Sequence, residues 1–498
     1  MNLLRRCLQL GLCLCGALLG CNAVSGSSER REAREAAKWL DAAAIEAARF
    51  GAVRFQARDG NRLTAFVYRA TAFDPVRGPV WFVLHGAGRG AEGYLQAAAP
   101  VAERHDALAI AIEFSREAYR TQQDYTLNVG GYAEVERVFE AVRRLLGGRQ
   151  QGYYLFGHSA GAQFVHRLVT FLPDARVLGA VAANAGWYTL PVAGDAPHFE
   201  MPYGLSGSAL ERTDVRWLFA TPLTVLLGAR DTATPDADRL LRGTRAAMAQ
   251  GPTRLARGRH YFATARRAAA TIDEPLKWRL AVVPRAAHEV TQVIGSAGFF
   301  LFENGESACE PTTAAAAAPH LVINEILADP PNGRAGDANA DGVRDASDDE
   351  FVELVNTGTA PVCLAGWTLG DANEAERHVF PLGAALPPGR ALVVFGGGVP
   401  TGRFGGATVQ WAAFGGRLNL SNAGDVLTLR DAGGTVVKQL SWGDCAGARC
   451  ASDHRAGALG FESSLVRWPE LTGTWRAHDE VARSPFSPGV RTDGTVFQ

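Results

Sequence analysis

Hydrophobic and polar positions follow two different patterns along the chain, and the change falls near residue 302. From about Gly51 to Phe302, short apolar runs alternate with stretches whose apolar residues recur at helical spacing. The strand-like runs are Arg62–Tyr68, Val80–Leu84, Ala107–Glu113, Tyr153–Phe156, Val177–Ala183, Leu223–Leu227 and Arg279–Val283. The helix-like runs include Tyr132–Leu146, Ala160–Phe171, Asp236–Ala249 and Tyr261–Ala270. Strands that alternate with helices predict a mostly parallel sheet with helices on both faces.

Beyond residue 319 the apolar runs are short and are separated by Gly, Pro, Asn and Asp, which predicts an all-β sandwich or barrel. These runs are Leu321–Leu327, Phe351–Val355, Trp367–Leu369, Ala391–Phe395, Val426–Leu429, Val436–Trp442 and Ser464–Trp468. Residues 303–319 contain five consecutive alanines between prolines, which favours an exposed linker or, as the alternative, a short helix. We therefore expect one domain at residues 51–302 and a second at residues 320–498.

The first residues have the pattern of an export signal. Arg5-Arg6 precede an apolar run that ends in Leu18-Leu19-Gly20-Cys21. This ending resembles the bacterial lipobox, in which cleavage leaves a lipid-modified cysteine as the first mature residue. We expect a signal segment at residues 1–21, an acylated Cys21, and a tether with an N-terminal helix at residues 22–50. The mature protein would then be a membrane-anchored lipoprotein outside the cytoplasm, in the periplasm or at the cell surface. A plain secretory signal or a short hydrophobic anchor is the alternative.

Composition and charge argue for packed domains and against a nucleic-acid partner. The chain has 498 residues, and 47% of them are hydrophobic, which is enough for two packed cores. The formal net charge is −1 and there is no long basic run, so no nucleic-acid partner is expected.

Cysteine use fits an exported chain. The four cysteines outside the signal segment and the lipobox are Cys309, Cys363, Cys445 and Cys450. They suggest two disulfides. Cys445 and Cys450 are near enough to close a small loop, which leaves Cys309 with Cys363, although the sequence permits three pairings. A zinc site is the weaker alternative, because the spacing lacks paired C-x-x-C units.

The run Gly157-His158-Ser159-Ala160-Gly161 carries the strongest chemical signal. It lies between a strand-like run and a helix-like run, as expected for a serine on a sharp strand-to-helix turn. A serine hydroxyl is a weak nucleophile that needs a base within reach, and the flanking glycines leave the turn free for it. We expect Ser159 to be a nucleophile and the side chain of His158 to turn away from it. An ordinary glycine-bounded loop is the alternative.

A nucleophilic serine also needs a base and a carboxylate that orients the base. Asp231 follows the strand-like run that ends at Leu227, and His288 follows the next one, which ends at Val283. Both residues would then lie at the carboxyl ends of parallel strands, where such sheets bind ligands. We expect Asp231 as the acid and His288 as the base, with Asp236 as the alternative acid.

The turn after the strand-like run at residues 80–84 supplies candidates for an oxyanion hole. It reads His85-Gly86-Ala87-Gly88. One backbone N–H near Gly86 and Ala87, together with that of Ala160, would converge on the developing oxyanion. A glycine-rich turn without a catalytic role is the alternative.

Aromatic loop residues and an arginine-rich stretch complete the first domain. The aromatic residues are expected to line the substrate pocket, with ordinary loop packing as the alternative. They are Tyr119, Tyr125, Trp187, Tyr188, His198, Phe199 and Tyr203. The stretch Arg254–Arg267 is expected to face solvent.

On these motifs, residues 51–302 resemble an α/β-hydrolase, in particular the branch that contains poly(3-hydroxybutyrate) depolymerases and feruloyl esterases. The resemblance rests on His85-Gly86, Gly157–Gly161, Asp231 and the Val283-Pro284…His288 ending. It implies a triad of Ser159, His288 and Asp231 that works without a cofactor.

The second domain resembles a lamin tail domain, which is an immunoglobulin-like β-sandwich appended to exported bacterial enzymes. The matching runs are Val322–Ile326, Glu350–Asn356, Leu364–Leu369, Pro387–Val393 and Ser484–Gly489. The resemblance implies a binding or spacing module without chemistry of its own, and we expect it to bind a surface or a polymer.

One insert in this domain has the spacing of a calcium loop. Oxygen ligands stand at alternate positions around a turn-forming glycine, as in the first part of an EF-hand loop. The residues are Asp337, Asn339, Asp341, Gly342 and Asp345, with Asp348 in place of the usual Glu at the twelfth position. The pattern predicts a structural calcium ion, with a solvated acidic turn as the alternative.

These expectations converge on an exported, lipid-anchored serine hydrolase that cleaves carboxylic esters in a small molecule or polymer. A serine peptidase or amidase of the same fold is the second hypothesis. A surface adhesion or scaffold protein with an inactive hydrolase domain is the third, and the complete set of Ser159, Asp231 and His288 argues against it.

Overall fold

The structure is a computed structural model that describes residues 49–127, 129–194, 197–305, 312–318, 320–412, 416–443, 450–455 and 462–498. The predicted signal segment, Cys21 and nearly all of the predicted tether lie outside the described residues. Within the described part of the chain, no helix combines the length and the apolar character needed to cross a bilayer.

A single sheet of eight strands forms the first domain. Its strands are β1 Phe50–Gln56, β2 Arg62–Arg69, β3 Val80–Leu84, β4 Leu108–Glu113, β5 Tyr153–His158, β6 Val177–Ala183, β7 Leu223–Gly228 and β8 Arg279–Val283. The order across the sheet is β1-β2-β4-β3-β5-β6-β7-β8. The β1–β2 and β2–β4 pairs are antiparallel, and all later pairs are parallel. The mostly parallel sheet is therefore confirmed, and β1 is an additional edge strand in a segment that we did not assign to the sheet.

Helices cover both faces of this sheet. They are α1 Ala91–Arg104, α2 Gln122–Thr126, α3 Val129–Leu145, α4 Ala160–Phe171, α5 Arg216–Ala220, α6 Arg245–Gln250, α7 Arg254–Thr271 and α8 Thr291–Phe302. Helices α1 and α8 contact each other on one face, whereas α3, α4 and α7 pack on the other. The helix predicted at Asp236–Ala249 is shorter than expected. It begins only at Arg245, where the Thr244 side chain accepts the Ala247 N–H as an N-cap.

Two sheets pack face to face in the second domain, as predicted for a sandwich. The six-stranded sheet has the order β16-β15-β10-β9-β20-β21, and the five-stranded sheet has the order β13-β12-β17-β18-β19. These strands are β9 Leu321–Leu327, β10 Phe351–Asn356, β12 Thr368–Gly370, β13 His378–Val379, β15 Ala391–Phe395, β16 Thr408–Trp411, β17 Gly424–Arg430, β18 Val436–Gly443, β19 Asp453–Arg455, β20 Leu465–Trp468 and β21 Thr474–Ala477. A small third sheet pairs β11 Val362–Cys363 with β14 Ala385–Leu386. Two short helices, α9 Ala314–Ala317 and α10 His478–Val481, complete the domain.

The alanine-rich part of the segment predicted as a linker forms helix α9. Ala314 and Ala317 are buried in the same apolar cluster as the inner faces of the two sheets. The Ala314 N–H donates to the Asp431 carboxylate at 3.0 Å, in the turn between β17 and β18. The short-helix alternative therefore describes these residues, and they pack on the second domain.

Two buried carboxyl groups connect strands β9 and β10 to the C-terminal part of this domain. Glu325 on β9 and Glu353 on β10 are register partners, and both are fully buried. Glu325 accepts hydrogen bonds from the Ser464 hydroxyl at 2.6 Å and from the Ser487 N–H at 2.9 Å. Glu353 accepts the Gly489 N–H at 2.7 Å. The residues around position 487 are therefore held in the core by polar contacts as well as by packing.

We expect the stability of the second domain to fall between acidic and neutral pH because of this pair. Burial and the neighbouring Glu325 raise the pKa of Glu353 well above 4.5, so the folded state keeps its proton at a pH where the unfolded chain has lost it. The contribution of Glu353 to stability is then fully present below about pH 4.5 and falls by up to about 1.4 kcal/mol per pH unit as the pH rises toward the folded pKa. Glu353→Gln should make the slope shallower, measured by denaturant unfolding at pH 5 and pH 8. An unchanged slope would contradict the assignment.

Candidate active site

Ser159 stands on a strained turn between β5 and α4. Its φ is +59°, a left-handed conformation that is rare for a residue with a side chain. The two glycines of the motif permit this turn because the backbone passes very close to them. A Cβ atom at Gly157 would lie 2.2 Å from the carbonyl oxygen of Gly161, and one at Gly161 would lie 2.1 Å from that of Leu84. The motif therefore holds Ser159 at the end of the sheet on a turn that has no space for a residue larger than glycine at positions 157 and 161.

Gly161→Ala should consequently destabilise the folded chain. The added methyl group meets backbone atoms, which cannot move aside as a flexible side chain can, and overpacking of this kind costs about 1–3 kcal/mol. Gly88→Ala is the matched control, since a Cβ at Gly88 meets no atom within 4 Å. Urea unfolding of the two variants should give a lower midpoint concentration for Gly161→Ala alone. Equal midpoints would contradict the steric explanation.

Ser159, His288 and Asp231 lie together in one hydrogen-bonded chain. The Ser159 hydroxyl is 3.1 Å from Nε2 of His288, and Nδ1 of His288 is 2.7 Å from Oδ2 of Asp231. Asp231 is buried and His288 is partly exposed. Because a carboxylate only accepts hydrogen bonds, Nδ1 carries the proton and Nε2 is free to accept the proton of Ser159. The structure thus brings together the three residues expected at the strand ends, and the alternative acid Asp236 is exposed.

A buried arginine touches the other oxygen of Asp231. Arg254 at the start of α7 is 2% exposed, and its guanidinium lies 3.4 Å from Oδ1 of Asp231 and 2.6 Å from Oδ2 of Asp238. Arg257 is also fully buried, and it donates to the Gly186 carbonyl at 2.6 Å. The expectation that this stretch faces solvent is therefore wrong for both residues. A buried charge needs a partner, and Asp231 and Asp238 supply it for Arg254.

His158 packs directly against the base. Its ring centroid lies 4.6 Å from that of His288, so its side chain does not turn away from the reacting centre as expected. The Tyr94 hydroxyl lies 3.1 Å from Nδ1 of His158. Burial and the nearby charges of His288 and Arg254 lower the pKa of His158 well below its usual value. His158 is therefore a neutral support for the ring of His288.

Asn184 connects three strand ends beside the site. It follows β6 with a φ of +54°, and its Oδ1 accepts the Gly228 N–H at 2.8 Å at the end of β7. Its Nδ2 donates to the Ala287 carbonyl at 3.3 Å, next to His288. Asn184 thereby ties the loops that carry Asp231 and His288 to the middle of the sheet.

The turn predicted to form the oxyanion hole lies beside Ser159 and is firmly braced. A Cβ at Gly86 would lie 3.6 Å from that of Ser159. The buried His85 side chain accepts the Phe114 N–H at Nε2, over 3.0 Å, and burial lowers its pKa to about 4. The Tyr94 hydroxyl packs on the same turn, since a Cβ at Gly86 would lie 2.6 Å from it. The turn with Gly86 and Ala87 therefore lies next to Ser159, and the N–H donors of Gly86, Ala87 and Ala160 stay a prediction.

Most of the aromatic residues expected to line a pocket are packing residues instead. Tyr119, Tyr125, Trp187 and Tyr188 are each at most 3% exposed. Tyr125 stacks on His85 and donates to its carbonyl at 3.0 Å, so it supports the turn from behind. His198, Phe199 and Tyr203 remain partly exposed.

The predicted calcium loop binds its own backbone in the structure. Asp337 accepts the Gly342 N–H at 3.0 Å, Asp341 accepts the Val343 N–H at 2.9 Å, and Asp345 accepts the Ser347 N–H at 2.8 Å. No group of three or more His, Cys, Asp or Glu side chains is gathered to hold a metal ion anywhere in the described ranges. Calcium binding by Asp337, Asn339, Asp341, Asp345 and Asp348 stays a prediction.

Cys363 and Cys450 are each disulfide-bonded. Cys309 and Cys445 lie outside the described residues, so the pairing stays a prediction.

Comparison with known proteins agrees with both halves of this structure. The lamin tail domain model matches residues 314–444. Poly(aspartic acid) hydrolase-1 from Sphingomonas sp. KT-1 is 34% identical, over 51% of this chain and 98% of that chain, with a TM-score of 0.47. A poly(3-hydroxybutyrate) depolymerase from Bordetella parapertussis is 34% identical, over 57% of this chain and 97% of that chain, with a TM-score of 0.49. The chain belongs to the α/β-hydrolases and carries a lamin tail domain. A search of curated proteins gave no match.

Three residues of the hydrolase site, Arg254, Asn184 and Tyr94, were not anticipated from the sequence. One feature of the sequence points to a special role for Arg254. It stands in the first turn of α7, which contains no acidic residue, and the helix dipole disfavours a cation there. An arginine at such a position needs a carboxylate from elsewhere in the fold. Asn184 and Tyr94 gave no comparable signal.

Proposed function

We propose that the hydrolase domain cleaves carboxylic esters by a serine mechanism. One observation supports this most directly, namely the hydrogen-bonded chain from Ser159 through His288 to Asp231 on a turn that holds the serine in a strained conformation. Such a chain activates an otherwise weak nucleophile. The sequence similarity to a poly(3-hydroxybutyrate) depolymerase over nearly its whole length supports an ester polymer as the substrate class.

In the first step, the Oγ of Ser159 bonds to the ester carbonyl carbon while its proton passes to Nε2 of His288. Asp231 stabilises the imidazolium that forms and keeps its ring oriented. The carbonyl oxygen then carries the negative charge, and the N–H groups of Ala87 and Ala160 are our proposed donors to it. When the tetrahedral intermediate collapses, the alcohol leaves with the proton of His288. Water then attacks the acyl-enzyme carbonyl carbon while its proton passes to Nε2 of His288. The second tetrahedral intermediate collapses, Ser159 leaves with that proton, and the carboxylic acid is released. No cofactor takes part in these steps.

An amide substrate is the second candidate. The observation that favours it is the match to a poly(aspartic acid) hydrolase, which has the same identity to this chain as the depolymerase. The proposed mechanism serves both bonds, because His288 can protonate an amine as well as an alcohol.

Labelling with a fluorophosphonate probe tests the serine mechanism without knowledge of the substrate. We expect the full chain to be labelled at Ser159 and Ser159→Ala to remain unlabelled. Equal labelling of both proteins would contradict the assignment of Ser159. Absence of labelling in the wild type would contradict the serine mechanism and favour an adhesion or scaffold role. Analysis of the cleavage products from polyester, short p-nitrophenyl ester and poly(aspartic acid) substrates then separates the ester and amide candidates.

We further propose that the hydrolase acts outside the cytoplasm on a lipid anchor at Cys21, with the lamin tail domain free to bind a surface or polymer. The lipobox-like ending at Cys21 supports this location. Cys21→Ser should move the protein from the membrane fraction to the soluble fraction of the producing cell. An unchanged membrane fraction would count against the anchor while leaving the proposed chemistry untouched.

A further inference from the structure

Glu376 of the lamin tail domain reaches across to both catalytic loops. One of its carboxylate oxygens lies 2.7 Å from Nη1 of Arg230 and the other 2.8 Å from Nη2, which is a two-point pairing. The same carboxylate lies 3.4 Å from Nη1 of Arg285. Arg230 directly precedes the triad acid Asp231, and Arg285 lies three residues before the base His288. One side chain of the second domain thus joins the two loops whose separation sets the geometry of the triad.

Those loops are held by individual hydrogen bonds and ion pairs rather than by regular secondary structure. The stretch from Pro284 to Val290 contains no helix or strand, and Arg285 within it has a φ of +62°. The two loops share backbone bonds, from the Ala229 N–H to the Val283 carbonyl at 3.0 Å and from the Arg230 N–H to the Ala286 carbonyl at 2.8 Å. Within the hydrolase domain, Arg254 also pairs with Asp231, and Asn184 binds the Ala287 carbonyl beside His288. Glu376 adds a link between the two loops from the second domain.

The lamin tail domain presents Glu376 from a rigid turn. The carboxylate of Asp371 accepts the Asn373 N–H at 2.9 Å and the Arg377 side chain at 2.8 Å, so it ties both ends of the turn together. Gly370 allows the turn to close, because a Cβ there would lie 2.5 Å from the carbonyl oxygen of Ala375. Glu376 is therefore held in place before it meets the hydrolase domain.

Further contacts hold the base loop against the same domain. Arg285 also donates to the Ala432 carbonyl at 3.3 Å. Pro284 packs on Gly366, where a Cβ would approach its ring to 3.1 Å. Beyond His288, the Leu382 N–H donates to the hydroxyl of Ser296 on α8 at 3.1 Å. The lamin tail domain thus contacts the chain on both sides of His288.

We propose that Glu376 is a positioning residue of the hydrolase site and that the lamin tail domain completes the catalytic geometry. A single exposed ion pair contributes little, but this carboxylate binds one arginine at two points, contacts a second, and is only one-fifth exposed. A catalytic arrangement must be held to within a fraction of an ångström, and small displacements lower kcat strongly. The proposal rests on the proposed function, because it requires Asp231 and His288 to act on Ser159.

Glu376→Ala in the full chain tests this role against Glu374→Ala, a matched control on the same turn. We expect Glu376→Ala to lower the fluorophosphonate labelling rate, and kcat on a p-nitrophenyl ester, by roughly five- to ten-fold with KM unchanged. Glu376→Gln, which keeps one acceptor oxygen, should recover part of kcat. Arg230→Met combined with Glu376→Ala should be little worse than either change alone, because the two residues act as one unit.

Amide hydrogen exchange supplies a readout that needs no activity. Peptides covering residues 229–234 and 284–290 should exchange faster in Glu376→Ala than in Glu374→Ala, while the peptide with Ser159 stays unchanged. Unchanged exchange in both loops would overturn the proposal, and so would faster exchange with an unchanged labelling rate. Absence of labelling in the wild type is a different result, since it would remove the proposed function itself and the inference with it.

Discussion

Replacing His288 with glutamine is expected to lower kcat by about 10⁶-fold while leaving KM nearly unchanged. Glutamine can fill the space and form hydrogen bonds, but it cannot accept the proton of Ser159 and return it to the leaving group. Steady-state hydrolysis of a p-nitrophenyl ester measures kcat and KM, and the fluorophosphonate labelling rate should fall with kcat.

His320→Gln is the control for this change, because His320 is an exposed histidine of the lamin tail domain. It should retain the wild-type kcat. A loss of less than about a hundred-fold in His288→Gln would mean that another group serves as the base. His158 would then be examined first, since its ring lies against that of His288.

Asp231→Asn is expected to lower kcat by about 10⁴-fold. The amide can donate a hydrogen bond to Nδ1 of His288, which favours the tautomer that places the proton on Nε2 and so blocks transfer from Ser159. Asp236→Asn, the alternative acid in the sequence, should change kcat by less than about two-fold because Asp236 is exposed. Equal losses in the two variants would contradict the assignment of Asp231.

Asp231→Asn should also lower the thermal stability, unlike a substitution with a purely catalytic effect. Arg254 is 2% exposed, and within the described residues Asp238 is the acidic partner that remains after the change. A buried charge with an incomplete set of partners destabilises the fold. The unfolding temperature in a scanning calorimeter therefore distinguishes this carboxylate, which serves both Arg254 and His288, from one that serves His288 alone.

The three triad residues could be predicted from the sequence because each is marked by the residues next to it in the chain. A serine between glycines at a strand-to-helix junction, followed by an acid and a histidine after later strands, fixes the three residues by their positions in a parallel sheet. The seven predicted strands of the first domain all form, because each is a short apolar run. The missed strand β1 lies at the edge of the sheet and buries only two of its seven positions, Val53 and Phe55.

The supporting residues could not be predicted in this way because their roles depend on tertiary contacts. The burial of Arg254 requires Asp231 and Asp238, which precede it by 23 and 16 residues. The orientation of His158 depends on Tyr94, 64 residues earlier. Glu376 lies in another domain, 146 residues from the arginine that it pairs with. In a short stretch of sequence, a charged residue looks the same whether its side chain is solvated or paired in the folded protein.

The buried carboxyl groups of Glu325 and Glu353 determine where a fragment of the second domain can end. The family match ends at residue 444, yet β20 lies between β9 and β21 in the six-stranded sheet, and Ser464 and Ser487 both bind Glu325. A fragment that stops at the match would expose the edge of β9, leave Glu325 without its serine donors and deprive Glu353 of the Gly489 N–H. The unit that unfolds cooperatively is therefore longer than the unit recognised by similarity. Fragments for binding or mutational studies should extend at least through Gly489, which donates to Glu353.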